Sequence, residues 1–282
     1  MQNVIKLESF SAVGAGETAN LVLSPGVTYD GIYLETNVPP AQINSVRLEL
    51  NAEQIFDLSG TELKMLDDYE EKGIAFAGPT YRYALPIQME EAISAQSERF
   101  TSLVIGPGDN CVINVEIDGT ATAPTLKAFA ETSPFREVRE VVRKFERYTV
   151  PVAAAGIAEF YSIQRGDRVL RMHFKTGDMN GLEVVRNRLK VFEIDSGRND
   201  YLLTREHRTP QTGYFHFDPI KGGYPRLDSF VTAADQLTFK LDMAASGNVE
   251  ILVERISAKQ ARDWRSTKPA GQAKGRRGIG RR

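Results

Sequence analysis

The sequence predicts an all-β chain built as two tandem eight-stranded jelly rolls (a double jelly roll), with short helices confined to loops. Three observations predict it: short runs that alternate apolar and polar residues, turns of Gly, Pro, Asn and Asp between them, and a set of blocks that occurs twice in the same order. Alternation puts one face of a strand in a core and the other in water, so each half reads as an antiparallel sandwich. A half of roughly 120 to 140 residues suits two facing sheets. The expected units are residues 1–142 for the first jelly roll, 143–258 for the second, and 259–282 for a basic, flexible C-terminal tail.

The repeat justifies the elements one by one. GETANLVLSPG at residues 16–26 lies over GIAEFYSIQRG at 156–166, setting Leu21 over Tyr161 and Leu23 over Ile163. A strand follows in each half: GIYLET, where Ile32 and Leu34 alternate, and RMHFKT, where Met172 and Phe174 alternate in register. SVRLELNAEQIFDLSG is then answered by EVVRNRLKVFEIDSG, with Asn51 over Asn187, Ile55 over Val191 and Phe56 over Phe192. Strands joined near those asparagines form hairpins. Ser59 and Glu62 make a capping box ahead of the helical LKMLDDYEEK, and Ser196 opens the shorter GRNDYLLTRE.

The third block sets YRYALPI from Tyr81 over YFHFDPI from Tyr214. The fourth sets LVIGPGDNCVINVEI beside LDMAASGNVEILVER, with Asn110 over Asn248, Ile113 over Ile251, Val115 over Val253 and Glu116 over Glu254. Between the halves, TSPFREVREVVRKFERY reads in two ways. One is a helix starting near Pro134, with Phe135, Val138, Val142 and Phe145 on one face. The other is a short helix that passes into the first strand of the second roll near Phe145.

At 282 residues and 41% hydrophobic content the chain can bury a substantial core. No run approaches the roughly 18 to 20 apolar residues of a membrane-spanning helix. MQNVIKLESF lacks the basic-then-apolar order of a signal peptide, so synthesis in a cytoplasm as a soluble chain is expected. The single cysteine, Cys111 in CVINVEI, excludes an intrachain disulfide and a zinc thiolate cluster, and reads as a buried core thiol.

The net charge of −2 is unevenly spread. Residues 259–282 hold nine Lys or Arg against Asp263 alone, giving +8 on the tail and −10 on the rest. KPAGQAKGRRGIGRR is too polar to offset the entropy of ordering itself. Lys274, Arg276, Arg277, Arg281 and Arg282 are the candidate contacts to phosphates, of anionic lipid or of DNA. A solubilising tail without a partner is the alternative. Trp264, the sole tryptophan, either anchors the tail at a membrane interface or, as preferred, packs against the second roll.

No catalytic, cofactor-binding or metal-binding residue is assigned. His173 and His216 sit on alternating runs as structural residues, and neither they nor His207 fall in an H-E-x-x-H or C-x-x-C spacing. No G-x-S-x-G elbow or GK[ST] loop occurs, and VGAGE and GPGDN read as turns. Asp67, Asp68, Glu70 and Glu71 read as a solvated helix face.

The order of these blocks resembles the P2-type coat protein of corticovirus-like tailless phages. The similar stretches are YDGIYLETNVPPAQINSVRLELNAEQIFDLSGTELKMLDDYE in the first half, then VRKFERYTVPVAAAGIAEF, RGDRVLRMHF, QTGYFHF and DQLTFKLDMAASGNVEILVE in the second. The resemblance covers most of residues 28–256 and implies a structural major capsid protein. It also implies a homotrimeric, pseudo-hexagonal capsomer in an icosahedral virion shell made in a bacterial host. An internal membrane and DNA would lie beneath, with other virion proteins at the vertices and membrane. It offers no catalytic or cofactor residue. The tandem sandwich alone also fits two other classes: a two-jelly-roll hydrolase of the peptide N-glycosidase sort and a carbohydrate-binding protein. Both are normally secreted, which the missing signal peptide and disulfides oppose.

Overall fold

A computed structural model describes residues 3–72, 80–89 and 99–265. The first half carries β1 (Asn3–Lys6), β2 (Thr18–Val22), β3 (Val27–Thr36), β4 (Ile43–Leu50), β5 (Glu53–Leu58), α1 (Gly60–Tyr69), β6 (Tyr81–Ala84), β7 (Leu103–Ile105), β8 (Cys111–Ile117) and β9 (Leu126–Pro134). After the two-residue β10 (Val138–Arg139) come β11 (Val142–Val152), β12 (Gly156–Phe160), β13 (Arg168–Lys175), β14 (Met179–Arg186), β15 (Leu189–Asp195), α2 (Ser196–Arg205) and β16 (Tyr214–Phe217). The short α3 (Pro225–Asp228), β17 (Phe230–Val231), β18 (Leu237–Met243), β19 (Gly247–Ser257) and β20 (Arg262–Asp263) complete the described chain.

The first half folds into two sheets of order β1-β9-β3-β6 and β2-β8-β4-β5, and the second into β11-β19-β13-β16 and β12-β18-β14-β15. Both are jelly rolls with one sheet order, and the short β7 and β17 add to β3 and β13 in the same way. Three register shifts also recur at matching places: Tyr29/Gly31 with Val169/Arg171, Ile43/Ser45 with Met179/Gly181, and Leu48/Glu49 with Val184/Val185. A bulge costs ladder bonds and bends its strand, so three shared bulges mark the halves as copies of one design.

The hairpin block is found as expected. Asn51-Ala52 and Asn187-Arg188 take φ of 55°, 63°, 49° and 68°, two-residue turns whose twist matches the strands they join. Leu48 pairs with Phe56 and Val184 with Phe192, all turned into their cores except the half-buried Phe192. The capping box of α1 is present: Glu62 N–H donates to Ser59 Oγ at 3.2 Å and Ser59 N–H to the Glu62 carboxylate at 2.8 Å, worth about 1 kcal/mol. In α2, Ser196 is the first helical residue, but the cap is Asp195, whose Oδ1 accepts from Arg198 N–H at 2.9 Å.

Each roll has its own core, around Ile32, Leu34, Leu48, Phe56 and Ile113 in the first and Met172, Phe174, Val184, Phe239 and Leu241 in the second. Three expectations need correction. The fourth repeat block is displaced by one strand: β8 occupies the place of β18, and β9 that of β19. CVINVEI and NVEILVE share a two-residue period, and pattern alone cannot tell two such strands apart. The third block is shifted by one residue, because Leu34 pairs with Tyr83 whereas Phe174 pairs with Phe215, not His216. Finally, the segment between the halves holds no helix. β9 runs to Pro134 and β11 starts at Val142, where an eleven-residue ladder to β19 outweighs any helical spacing of the apolar residues.

Candidate functional site

The surface that orders the molecule is the joint between the rolls. Its first-roll side is built by β5 and α1, and its second-roll side by the outward face of β11-β19-β13-β16. Alternation along β19 sends Val249, Ile251 and Val253 into the second core and leaves Leu252 and Glu254 facing the first roll. Apolar contact forms the rim, where Phe145 and Leu252 join the first roll's cluster and Phe56 meets Phe145 edge-on at 6.3 Å.

The centre of the joint is charged. Glu70, just past α1, lies 3.2 Å from Arg143 and 2.5 Å from Arg171, and Lys72 also pairs with it. Glu254 lies 2.8 Å from Arg143 and 3.4 Å from Arg171, while Arg171 Nε donates to Asp218 Oδ2 at 3.1 Å. Arg143, Arg171, Glu70, Asp218 and Glu254 are all buried. Burial alone would raise the Glu70 pKa, but Lys72, Arg171 and Arg143 overcome it and hold the carboxyl well below the usual range. Ions out of water cost several kcal/mol each, so only a docking that pairs them all is stable.

Beside the charges, Tyr69 Oη donates to Asp218 Oδ2 at 2.9 Å, and its ring packs 5.4 Å from His173 and 4.4 Å from His216. The two imidazoles share a hydrogen bond, Nδ1 to Nδ1, at 2.7 Å. Because His216 Nε2 accepts from Gln211 N–H at 3.1 Å, its proton sits on Nδ1 and is donated to His173. His173 therefore carries its own proton on Nε2, a buried atom with no hydrogen-bond partner among the described residues. Burial, chiefly, then the Arg171 charge, pushes His216 down to about 3. Burial, His216 and Arg171 push His173 well below its ordinary value.

A second structure is a strap from the end of β19 onto the first roll. β20 pairs with β10, Gln260 Nε2 donates to Glu53 at 2.7 Å, and Arg262 Nη1 donates to Asp109 at 2.8 Å. Asp109 also accepts from the buried Arg139 at 2.8 Å. Trp264 packs against Phe135 with ring centroids 5.5 Å apart, and its indole N–H donates to Pro107 O at 3.3 Å. A Cβ added to Gly106 would fall 2.2 Å from the indole, so only glycine lets the ring seat. Gly106→Ala is therefore expected to expel Trp264, seen as a red shift and increased quencher access of the sole tryptophan's fluorescence. Unchanged emission would sink this account of the seat.

Residue by residue, the sequence expectations fare unevenly. Cys111 is in the first core, where burial pushes its thiol pKa up, and His173 and His216 are buried and hydrogen-bonded to each other. Asp67 and Glu70 are corrections: they are buried, not on a solvated face, while Asp68 and Glu71 stay outside. The cations that permit Glu70's burial come from residues 143 and 171, beyond any local signal. Trp264 packs on the first roll, not the second, because the strap turns back across the joint. Residues 259–265 are docked, so the expected flexible tail does not begin at 259. Lys274, Arg276, Arg277, Arg281 and Arg282 lie outside the described residues. Among the described residues no cluster of His, Cys, Asp and Glu has the geometry of a metal site.

Comparison with known proteins agrees with this architecture. Among solved structures, the major capsid protein P2 from Bacteriophage PM2 matches with TM-score 0.83 at 22% identity, covering 91% of this chain and 97% of that one. Sulfolobus Turreted Icosahedral Virus gives TM-score 0.64 at 13% identity, covering 92% and 91%. The PBCV-1 virus capsid gives 0.62 at 8%, covering 93% and 95%. At these identities the likeness is one of fold. No curated protein matches the chain by sequence. Family models for the viral coat protein P2 N-terminal and C-terminal domains match residues 4–133 and 142–259. With most of its length inside those two matches, and with its paired jelly rolls, the chain belongs to the viral coat protein P2 family and is a structural coat protein, not an enzyme.

Proposed function

We propose that this coat protein is the major capsid subunit of a tailless icosahedral particle with an internal membrane, working as a homotrimer whose six jelly rolls form a pseudo-hexagonal tile. The observation that carries the reading is the duplicated roll, with matching sheet order and bulges, locked into one rigid pair by the buried charge layer. A tile needs repeated, nearly equal units held at a fixed angle, and closed cyclic interfaces suit such a ring. We divide the chain as residues 1–142 and 143–258 for the rolls. Light scattering at micromolar concentration is expected to give about three times the 31.4 kDa chain mass. A persistent monomer would overturn the reading.

The tail is assigned to the particle interior. There Lys274, Arg276, Arg277, Arg281 and Arg282 meet phosphates of anionic lipid or packaged DNA, on the support of six Lys or Arg and no acid at residues 266–282 beside a body of net charge −8. Exposed charges are screened within about 8 to 10 Å at physiological salt, so they add little to folding. Deleting residues 268–282 is expected to leave Tm and oligomer mass unchanged. Binding to anionic vesicles or DNA should fall and lose its steep salt dependence. Equal binding by the truncated chain would leave only a solubilising role.

A further inference from the structure

We infer that the end of the second roll from which the C-terminal segment departs is a docking surface for an anionic lipid layer, entered by Tyr224 and Leu227. This rests on the reading that a membrane lies beneath the shell, and it adds a folded surface to the tail. The ladders fix which loops share that end. Arg168 pairs with Ile256, Arg186 with Leu237 and Val142 with Ser257, so residues 161–168, 186–190, 221–236 and 258–265 lie together. They hold ten Lys or Arg against four acids. The turns at the other end of the roll, residues 152–156, 175–179 and 243–247, hold one Lys and one Asp. Charge on this roll is therefore polarised along its strands, toward the end where residues 266–282 add six more cations and no acid.

Part of this charge is not spent inside the fold. Among the described residues, Arg165, Arg186, Arg188 and Lys221 form no ion pair. Arg165 and Arg168 instead brace the loop that runs from β16 to β18. Arg165 Nη1 donates to Ala234 O and Asp235 O at 2.6 and 2.9 Å, and Arg168 Nη2 donates to Leu227 O and Ser229 O, both at 3.2 Å. Arg226 ties the same loop to the first roll, donating to Glu140 at 2.9 Å with its guanidinium 4.5 Å from the Phe100 ring centroid. Tyr224 O closes the turn of α3 by accepting from Leu227 N–H at 3.0 Å and Asp228 N–H at 2.9 Å. On that turn Tyr224 and Leu227 stand three residues apart, 49% and 78% exposed. Leu227 is more exposed than any other large apolar side chain among the described residues.

A braced turn that holds a leucine and a tyrosine in water among surplus cations has the composition of a membrane-surface site. The cations meet headgroup phosphates, and the leucine gains by leaving water for the acyl boundary. A tyrosine ring suits the same depth, with its apolar face buried and its hydroxyl wet. Duplex DNA offers phosphates too, but binding through phosphates gives an exposed leucine nothing to do. Asp228 and Asp235 are exposed on this end, so attraction depends on the surplus of cations and on an anionic partner.

The test uses the full chain and vesicles of phosphatidylglycerol mixed with phosphatidylcholine. Cys111 is buried, so Leu227→Cys gives one accessible thiol for an environment-sensitive fluorophore, and the exposed Ser246, at the other end of the roll, gives the control as Ser246→Cys. On these vesicles the label at position 227 is expected to shift to the blue and to be quenched by bromine on the acyl chains, while the label at 246 stays unchanged. Leu227→Asp should keep the Tm, because the side chain is already in water, and weaken vesicle binding roughly tenfold with duplex DNA binding unchanged. Vesicles that bind the chain without moving the label at 227 would overturn this surface and leave the tail reading standing. A label that responds to duplex DNA and not to vesicles would overturn it in favour of nucleic acid. No vesicle binding at all would overturn this surface and the tail's lipid contact together, while the oligomer mass still reports separately on the shell.

Discussion

Arg171→Met is expected to destabilise the folded chain by roughly 3 to 5 kcal/mol, an effect as large as a single side chain can have here. The substitution keeps the volume of the stem but leaves Glu70, Glu254 and Asp218 buried with their shared cation gone. At about 2 °C per kcal/mol for a chain of this size, calorimetry at pH 7 should show Tm falling by roughly 6 to 10 °C. Lys175→Met is the control. Its pair with Glu250 is exposed on both sides, and it should change stability by less than about 1 kcal/mol. If both variants melt together with wild type, the charge layer does not hold the rolls.

Mild acid is the second strong lever. Both imidazoles of the His173–His216 pair are kept neutral in the folded chain, and both take up protons near 6.5 once unfolded. Below that value the unfolded chain binds more protons, so stability is complete above about pH 6.5 and declines as pH drops toward the folded-state values. Each proton contributes roughly 1.4 kcal/mol per pH unit, so between pH 6.5 and 5 the two together remove on the order of 4 kcal/mol. Glu70 adds a loss of the same sign, but only once pH falls through the carboxylate range. Denaturant titrations at pH 7, 6 and 5 read the slope. In a His173→Gln, His216→Gln double variant the slope should flatten across that window, whatever its stability at pH 7. A variant as acid-sensitive as wild type would clear the pair of this role.

What the sequence disclosed was the part of the fold with a period. Ile32 with Leu34 and Met172 with Phe174 alternate, Asn51 and Asn187 mark turns, and Ser59 with Glu62 marks a helix start; each of these signals lies within ten residues. The same locality explains the errors. β8 and β19 look alike as isolated strings, and only the ladder partners, β2 and β4 for one and β11 and β13 for the other, separate them. The joint was illegible for a related reason. Glu70 reads as one more acid after a polar helix, and its burial depends on Arg143 and Arg171, residues 73 and 101 positions away.

The strap also sets an order of events during synthesis. β20 meets β10, and Trp264 seats on Gly106, only after the ribosome has delivered every strand of the second roll. A nascent chain stopped at residue 258 already has the sequence for both sandwiches, yet the Arg139–Asp109 pair and the ledge at Pro107 stand open to water. The first roll to be translated is therefore the last to be sealed, and a chain cut short before residue 265 differs from a finished one on the first roll's own surface.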